Sequence, residues 1–327
     1  MPLILTLSLN PTIDVSSEAD VVRPTHKTRT ENEVFEPGGG GINVARVVCE
    51  LGAETLAVCL AGGASGVLLD ELLAQIGLPR RIIPVSGNTR IALMVLERST
   101  GQEYRFIPSG PHIRPEEVEA CLAAIEDASF DCLVASGSVP AGCEPDILAR
   151  VGAIAARRGV PFILDSSGPG LAETLGRTPV RLVKPSLNEF EAYVGRPLEK
   201  PHEVGRAARA LVAEGAAEIV AVTLGMDGAV VASADGALLV RAPRVETRSA
   251  VGAGDSFVGG MAVALLAGRS IADAALLGTA AGAAAALNPG TGVCKRADIL
   301  RIYEALTADG SMVERVGESE WRIGDSE

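Results

Sequence analysis

Apolar and polar positions along the chain change period several times, and the changes mark out its elements. A strand-length apolar run at 3–9 stops at the Asn10-Pro11 turn, with Asp14 just beyond. From 15 to 35 the sequence is polar and β-tolerant with no helical period. This predicts strands extending from the main body, with Lys27 and Arg29 alternating onto one face. Four glycines then run from Pro37 straight into Ile42, Val44, Ala45, Val47 and Val48, an apolar helical stripe. A linker would not open a helix this way, whereas a glycine turn at a helix start lets a ligand touch the backbone, and Gly39 and Gly40 stand at that start. Residues 55–61 read as a strand and 66–76 as a helix. Residues 89–96 and 102–107 read as a hairpin around Ser99-Thr100-Gly101, with Arg90 and Arg105 near its open end.

Beyond Pro115 the pattern becomes regular. Helices are expected over 115–127, 145–158, 187–194 and 202–214, and strands over 131–136, 161–165, 180–184 and 218–223. An antiparallel pair follows at 229–233 and 237–241. Such alternation implies a mostly parallel sheet covered on both faces by helices, an α/β architecture. The turns after the strands collect the polar and glycine residues: Ser138, Asp165, Lys184 and Ser186, then Thr223, Gly225 and Gly228. Ligands of open α/β sheets bind along that carboxyl edge. After Ala308 no period is visible, and the tail to Glu327 is expected to be loosely held.

One stretch carries chemistry of its own. Gly252, Ala253 and Gly254 leave almost no side chain where a loop turns into a helix near Asp255. Exposed N–H groups and the positive end of the helix dipole there suit a phosphate or a developing oxyanion. Asp255 then stands where it can accept the proton of an attacking hydroxyl. The same residues also fit an ordinary Asp cap after a glycine turn, and this stretch alone leaves both readings open.

Composition narrows the class. At 327 residues, 47% of them apolar, the chain can bury one large core or two modest ones. Only 3% are aromatic, which favours closely packed helices on a sheet over an aromatic-rich sandwich. A net charge of -12 argues against nucleic acid as a partner, since counterion release needs clustered cations. Cys49, Cys59, Cys121, Cys132, Cys143 and Cys294 show no metal-type spacing and sit mostly in apolar segments, so reduced thiols are expected. The N-terminus lacks a basic region, and the alanine-rich stretch 261–287 is interrupted by Arg269, Ser270 and Asp273. A cytoplasmic protein with no membrane partner is expected.

Taken in order and spacing, several motifs resemble the PfkB-type, ribokinase-like sugar kinases over residues 3–305. They are Pro37-Gly-Gly-Gly-Gly-Ile-Asn43, Asp165-Ser-Ser, Lys184-Pro-Ser-Leu-Asn-Glu189, Thr223-Leu-Gly-Met-Asp-Gly228 and Val251-Gly-Ala-Gly-Asp255. Phe35-Glu-Pro-Gly and Gln102-Glu-Tyr-Arg105-Phe resemble the bacterial minor 6-phosphofructokinases within that family. The resemblance implies a three-layer α/β/α core (1–14, 36–88 and 108–308), a small β lid (15–35 and 89–107) that clasps a second subunit, and a tail from 309. It implies ATP-dependent phosphorylation of the 1-hydroxyl of fructose 6-phosphate, with Asp255 as base and Gly252, Ala253 and Gly254 as anion hole. Asp14, Gly39, Gly40, Asn43 and Ser138 would meet the sugar, and Lys27, Arg90 and Arg105 its phosphate. Lys184, Ser186, Asn188, Thr223, Gly225 and Gly228 would surround ATP, and Glu189 would hold Mg²⁺ through water. Ser249, Val251, Asn288 and Gly290 resemble the potassium site of such enzymes. Two positions depart from the phosphofructokinase pattern: Ser186 replaces an Asn, and Asn188 replaces a Lys, which leaves the nucleotide site one cation short. Tagatose 6-phosphate kinase and 1-phosphofructokinase share this clamp, and a non-catalytic sugar-phosphate sensor shares the fold. A dinucleotide-binding dehydrogenase does not fit, because no G-x-G-x-x-G follows the first strand.

Overall fold

The strand-length apolar runs pair into two sheets in the computed structural model, which describes residues 2–247, 249, 251–288, 292 and 294–316. The first strands are β1 (Leu3–Ser8), β2 (Thr12–Ala19), β3 (Glu31–Gly38), β4 (Glu54–Ala61), β5 (Arg80–Pro84), β6 (Arg90–Glu97) and β7 (Glu103–Phe106). They are followed by β8 (Cys132–Ser136), β9 (Phe162–Asp165), β10 (Leu182–Val183), β11 (Ile219–Thr223), β12 (Ala229–Ser233), β13 (Gly236–Val240) and β14 (Val313–Arg315). The larger sheet has 10 strands in the order β14-β13-β12-β11-β10-β9-β8-β1-β4-β5. From β5 to β11 every pair is parallel, and the β12, β13 and β14 edge is antiparallel. The winding reverses at β1, between β4 and β8, the point at which open sheets of this kind leave a crevice.

Helices cover both faces. They are α1 (Gly40–Glu50), α2 (Gly63–Gln75), α3 (Pro115–Asp127), α4 (Ile147–Arg158), α5 (Gly168–Ala172), α6 (Leu187–Val194), α7 (Pro201–Ala213), α8 (Ala253–Leu266), α9 (Ile271–Ala286) and α10 (Arg296–Ala308). The period-2 alternation of the strands decides which layer each residue meets. Ile4, Cys132, Val134, Ile163, Leu182 and Ile219 share a core with α1, α8, α9 and α10. Their neighbours Leu5, Leu133, Ala135, Leu164, Val183 and Val220 share the opposite core with α3, α4, α6 and α7.

The scarcity of aromatics has its counterpart in the α8–α9 contact. A Cβ on Gly260 would stand 2.8 Å from the Leu277 carbonyl oxygen and 2.9 Å from the Gly278 Cα. The two helices therefore touch through backbone, and the small residues are there because nothing larger fits.

The second sheet has 4 strands in the order β3-β2-β6-β7. Its register sorts side chains by face. Asp14 and Ser16 on β2 lie beside Ala92 and Met94 on β6, with Arg90 in the same row and Arg105 opposite Met94. The other face carries Val15, Phe35, Ile91, Leu93 and Phe106. On that face Phe35 is 48%, Leu93 47% and Phe106 58% exposed, so it is apolar and uncovered in the single chain.

The structure corrects the sequence reading in several places. Lys27 and Arg29 do not alternate on a strand. They stand exposed in the loop 20–30, which turns at Arg23–His26 with Thr25 at φ 64, and Pro24 denies that segment a ladder donor. β5 escaped notice because its five residues begin with two arginines. β14 lies in the segment expected to be loose, yet it pairs with β13 through Val240 and Val313, an edge only tertiary structure can supply. The glycine run opens a helix as expected: Gly38 ends β3, Gly39 is the cap and α1 begins at Gly40. α8 begins at Ala253, two residues before Asp255. No described cysteine is in a disulfide; Cys49 is exposed, Cys143 half-buried and the other four buried. No described helix is long and apolar enough to cross a membrane.

Gly260→Val should therefore overpack the α8–α9 contact at a cost of about 1–3 kcal/mol. Thermal unfolding should show Tm lowered by several degrees; an unchanged Tm would mean that the helices are free to move apart.

Candidate active site

Three strands deliver side chains to one point because their alternation is in phase. Continuing the pattern beyond Val134, Ile163 and Leu182, the residues Ser136, Asp165 and Lys184 turn to the α1–α8 side at the strands' carboxyl ends. There they meet the first turns of α1 and α8. Lys184 Nζ lies 3.0 Å from Asp165 Oδ1, and the pair is almost fully buried. Ser136 Oγ lies 3.1 Å from Asp165 Oδ2 and 3.3 Å from Asp255 Oδ1. Asn43 Nδ2 donates to Asp255 Oδ2 at 2.8 Å.

Asp255 occupies the first turn of α8, after Gly252 in the left-handed region at φ 73. Nothing lies within 4 Å of where a Cβ on Gly252 would stand, and the first N–H groups of a helix have no partner within the helix itself. Burial pushes the Asp255 carboxyl up to about 6, and nearby Asp165 adds to this; Asn43, Lys184 and Ser136 pull the other way. Burial also works against the Lys184 ammonium, but Asp165, then Asp255 and Glu189, outweigh it and raise its pKa. An acid raised toward neutrality at a helix amino end has the makings of a general base.

The smaller sheet supplies the other wall. Asp14 and Arg105 share a small, mainly apolar cleft of about 60 Å³ with Val15, Ser16, Ala92, Leu93, Met94, Ile107 and Val251, so this sheet and the loop before α8 adjoin. Burial pushes Asp14 up to about 6, against the Thr12 hydrogen bond and the Arg90 cation. A Cβ on Gly38 would fall 2.1 Å from Asp14 Oδ2, which is why glycine is required there. Arg90 reaches the Asn10 carbonyl at 2.9 Å and the Pro108 carbonyl at 3.1 Å through its terminal nitrogens. Asn10 in turn donates to Ser138 Oγ at 3.1 Å, linking the sheet edge to Ser138. Arg105 is paired with Glu103 at 2.6 Å on the surface. Gly39 sits beside Pro11, and Gly40 packs on Ser136. Among the described residues Asn43 Oδ1 and Arg90 Nε are buried without a partner, an acceptor and a donor of the kind a sugar hydroxyl or a phosphate would satisfy.

Along the same edge, Ser186 caps α6: its N–H donates to Glu189 Oε2 at 2.7 Å, and its side chain takes the Glu189 N–H. Ser186 also bridges to Thr223, which brings Asn188 and Glu189 beside the turn Gly225–Asp227 that Gly228 closes. Open space lies where a Cβ on Gly225 would stand, and a Cβ on Gly254 would lie 3.2 Å from Lys184 Nζ. This lane of backbone, one ammonium and the carboxylates of Asp165 and Glu189 suits a polyphosphate and a hard, hydrated Mg²⁺ ion. Among the described residues no group of three or more His, Cys, Asp or Glu is placed to hold a metal by itself. Ser249 and Val251 meet the end of α9 through the Ser249 N–H on the Ala286 carbonyl (3.4 Å), near Asn288; Gly290 lies outside the described residues.

Lys27 is not brought to this cleft. The loop that carries it follows the Ala19 end of β2, whereas Arg90 pairs with Thr12 at the opposite end. Ser136 and the Asp165–Lys184 contact escaped sequence reasoning. Their signal is that each ends a strand in the same phase, which can be read only once the register is known. A roomier cavity of about 450 Å³ opens at the amino edge of the sheet, but its charged rim is self-paired through Arg181 and Glu218.

Residues 8–298 match the model of the pfkB family of carbohydrate kinases. The chain is 41% identical over 305 residues to ATP-dependent 6-phosphofructokinase isozyme 2 of Mycobacterium tuberculosis, covering 93% of this chain and 89% of that one. Phosphofructokinase-2 from Escherichia coli in complex with potassium superposes with a TM-score of 0.90 at 37% identity, covering 94% of this chain and 100% of that one. The same enzyme in complex with fructose-6-phosphate gives a TM-score of 0.88 at 36% identity, with the same coverage. Arabidopsis thaliana ribokinase superposes with a TM-score of 0.71 at 20% identity, covering 93% of this chain and 98% of that one, so the fold is ribokinase-like.

The raised carboxyls make a prediction about stability. A folded-state pKa of about 6 for Asp14 means that the folded protein holds this proton more tightly than the unfolded chain, whose value is near 4. The associated stability is fully present below about pH 4 and is lost as pH rises through about 6. Asp14→Asn should match wild-type Tm near pH 4 and exceed it at pH 8, as followed by calorimetry. A Tm difference independent of pH would show that the carboxyl is not raised.

Proposed function

Because the chain belongs to the pfkB family of carbohydrate kinases, we propose that it is an ATP-dependent 6-phosphofructokinase that phosphorylates the 1-hydroxyl of fructose 6-phosphate. The observation that carries the reading is one cleft with two unlike walls. One wall is the open amino end of α8 with Asp255 fixed by Asn43 at 2.8 Å. The other is the polar face of the smaller sheet, carrying Asp14, Arg90 and Arg105. A free sugar needs no cation, while a sugar phosphate needs several converging on its terminal group.

In this reading Asp14, Gly39, Gly40, Asn43 and Ser138 bind the sugar hydroxyls, with the unpartnered Asn43 Oδ1 as a ready acceptor. ATP lies along Lys184, Ser186, Asn188 and the Thr223–Gly228 turn. Asp255 takes the proton of the attacking 1-hydroxyl, and the amides at Gly252, Ala253 and Gly254 receive the charge of the phosphoryl group in flight. Glu189 holds the water shell of a Mg²⁺ ion, which supplies charge neutralisation on the phosphates when bound. The carbonyl-rich loops at Ser249, Val251 and Asn288 suit a potassium ion. Water is excluded by the smaller sheet acting as a lid.

The lid's uncovered face argues for a homodimer. Phe35, Leu93 and Phe106 are about half exposed or more on one sheet face, a contiguous apolar patch of the kind a second copy covers. Lys27 stands too far along the sheet to join Arg90 and Arg105 in its own chain, so it enters the clamp only across such a dimer.

A coupled ATP-consumption assay should show the highest kcat/KM for fructose 6-phosphate among it, tagatose 6-phosphate, fructose 1-phosphate and ribose. Preference for either of the other two phosphates would keep the clamp and change the sugar, and activity on ribose alone would remove the clamp. Asp255→Ala should lower kcat by about a hundred- to ten-thousand-fold with little change in KM. Near-normal turnover would sink the base assignment. Arg90→Ala should raise the sugar-phosphate KM far more than the ATP KM; equal effects would reduce Arg90 to a structural tie between Asn10 and Pro108.

A further inference from the structure

Ser136 ends β8 and is 5% exposed, with its hydroxyl between two carboxylates. The remaining oxygen of each carboxylate has its own donor: Lys184 Nζ on Asp165 Oδ1 at 3.0 Å, and Asn43 Nδ2 on Asp255 Oδ2 at 2.8 Å. Asp165 Oδ2 and Asp255 Oδ1 both look to Ser136 Oγ, at 3.1 and 3.3 Å. A serine hydroxyl has one hydrogen, so it serves one of them at a time. Its oxygen is walled in by Gly40, where a Cβ would come within 2.3 Å of Oγ. The oxygen is therefore held in place while the O–H bond is free to turn.

We propose that Ser136 is the positioning residue of the base, a hydroxyl that points to Asp255 before phosphoryl transfer and to Asp165 after it. Before transfer its hydrogen bond helps keep Asp255 ionised and aimed. As Asp255 takes the proton of the acceptor hydroxyl, that acid no longer needs a donor, and the Ser136 hydrogen turns to Asp165, whose other oxygen is held by Lys184. Ser136 keeps its own proton throughout; the acceptor's proton ends on Asp255, and the acceptor oxygen bonds to phosphorus. The groups facing Asp255 are Asp165, Lys184, Asn43 and Ser136, with Glu189 behind Lys184. This inference rests on Asp255 being the proton acceptor of the proposed phosphotransfer.

The test is Ser136→Ala, which adds no volume, in wild-type and Asp255→Ala backgrounds. In the wild-type background kcat should fall about ten- to a hundredfold, as for loss of a hydrogen bond to a charged group, with both KM values little changed. The acid limb of the kcat–pH profile should move to higher pH, because the lost donor favoured the ionised acid. Carboxyl ¹³C titration of Asp255, assigned by its loss in Asp255→Asn, should move the same way without substrate. In the Asp255→Ala background Ser136→Ala should have no further effect. If wild-type protein is active and Asp255→Ala is not, yet Ser136→Ala leaves kcat and the acid limb unmoved, the hydroxyl's role is overturned and the base stands. An equal loss in both backgrounds also overturns it. Activity unaffected by Asp255→Ala overturns the reading of the site and this inference together.

Discussion

The structure turns on placing two carboxylates and one ammonium in a dry pocket at the sheet's carboxyl edge. Asp165 and Asp255 repel each other and both resist burial, and Lys184 is the counter-charge they share. Such a cluster is tolerable only if its members are held by exact phase between β8, β9, β10 and α8, since one unpaired buried charge would cost several kcal/mol. The rest of the α1–α8 layer follows from that. Gly40 lets α1 lie against Ser136, Gly259 lets α8 lie against Val47, and Gly260 lets α9 close over α8.

The same requirement sets the chemistry. Asp255 sits at a helix amino terminus, which favours its ionised form, yet burial and Asp165 raise it to about 6. The two influences oppose each other and leave an acid still ionised at neutral pH but with a stronger grip on a proton than an ordinary aspartate. The proposed phosphoryl transfer would ask no more of Asp255 as base than this, because positioning and charge neutralisation carry most of it. The raised carboxyls Asp14 and Asp255 work against folding at neutral pH, so function here is maintained at some expense of stability.

The smaller sheet shows how one β structure divides labour between its faces. Alternation along β2 and β6 gives a polar row toward the cleft and an apolar row away from it. A one-residue slip would exchange the two, turning the arginines away from the cleft and Phe35 and Leu93 toward it. The register that orders the cleft is therefore the same register that gathers the exposed apolar row.

Much of this was legible in the residues themselves. The alternating periods imply a parallel sheet between helices, and glycines ahead of Asp255 mark the start of a helix; both depend on local spacing, which a sequence displays. The polar and glycine residues at strand ends likewise point to the edge where ligands bind. What local spacing lacks is register between distant strands. Asp165 and Lys184 stand out in the sequence as motif residues and Ser136 only as the last residue of β8, but the pairing of β8, β9 and β10 alone puts the three in one phase and one pocket. β14 joins the sheet from a segment without periodicity because β13 offers it an edge, and Lys27 leaves its expected strand because Pro24 and the turn at Thr25 break the ladder. The sequence by itself determined the elements and the chemistry each end carries, through interactions a few residues apart. Tertiary structure alone decided which ends meet, because that depends on hydrogen-bond register and helix contacts between residues tens to hundreds of positions apart.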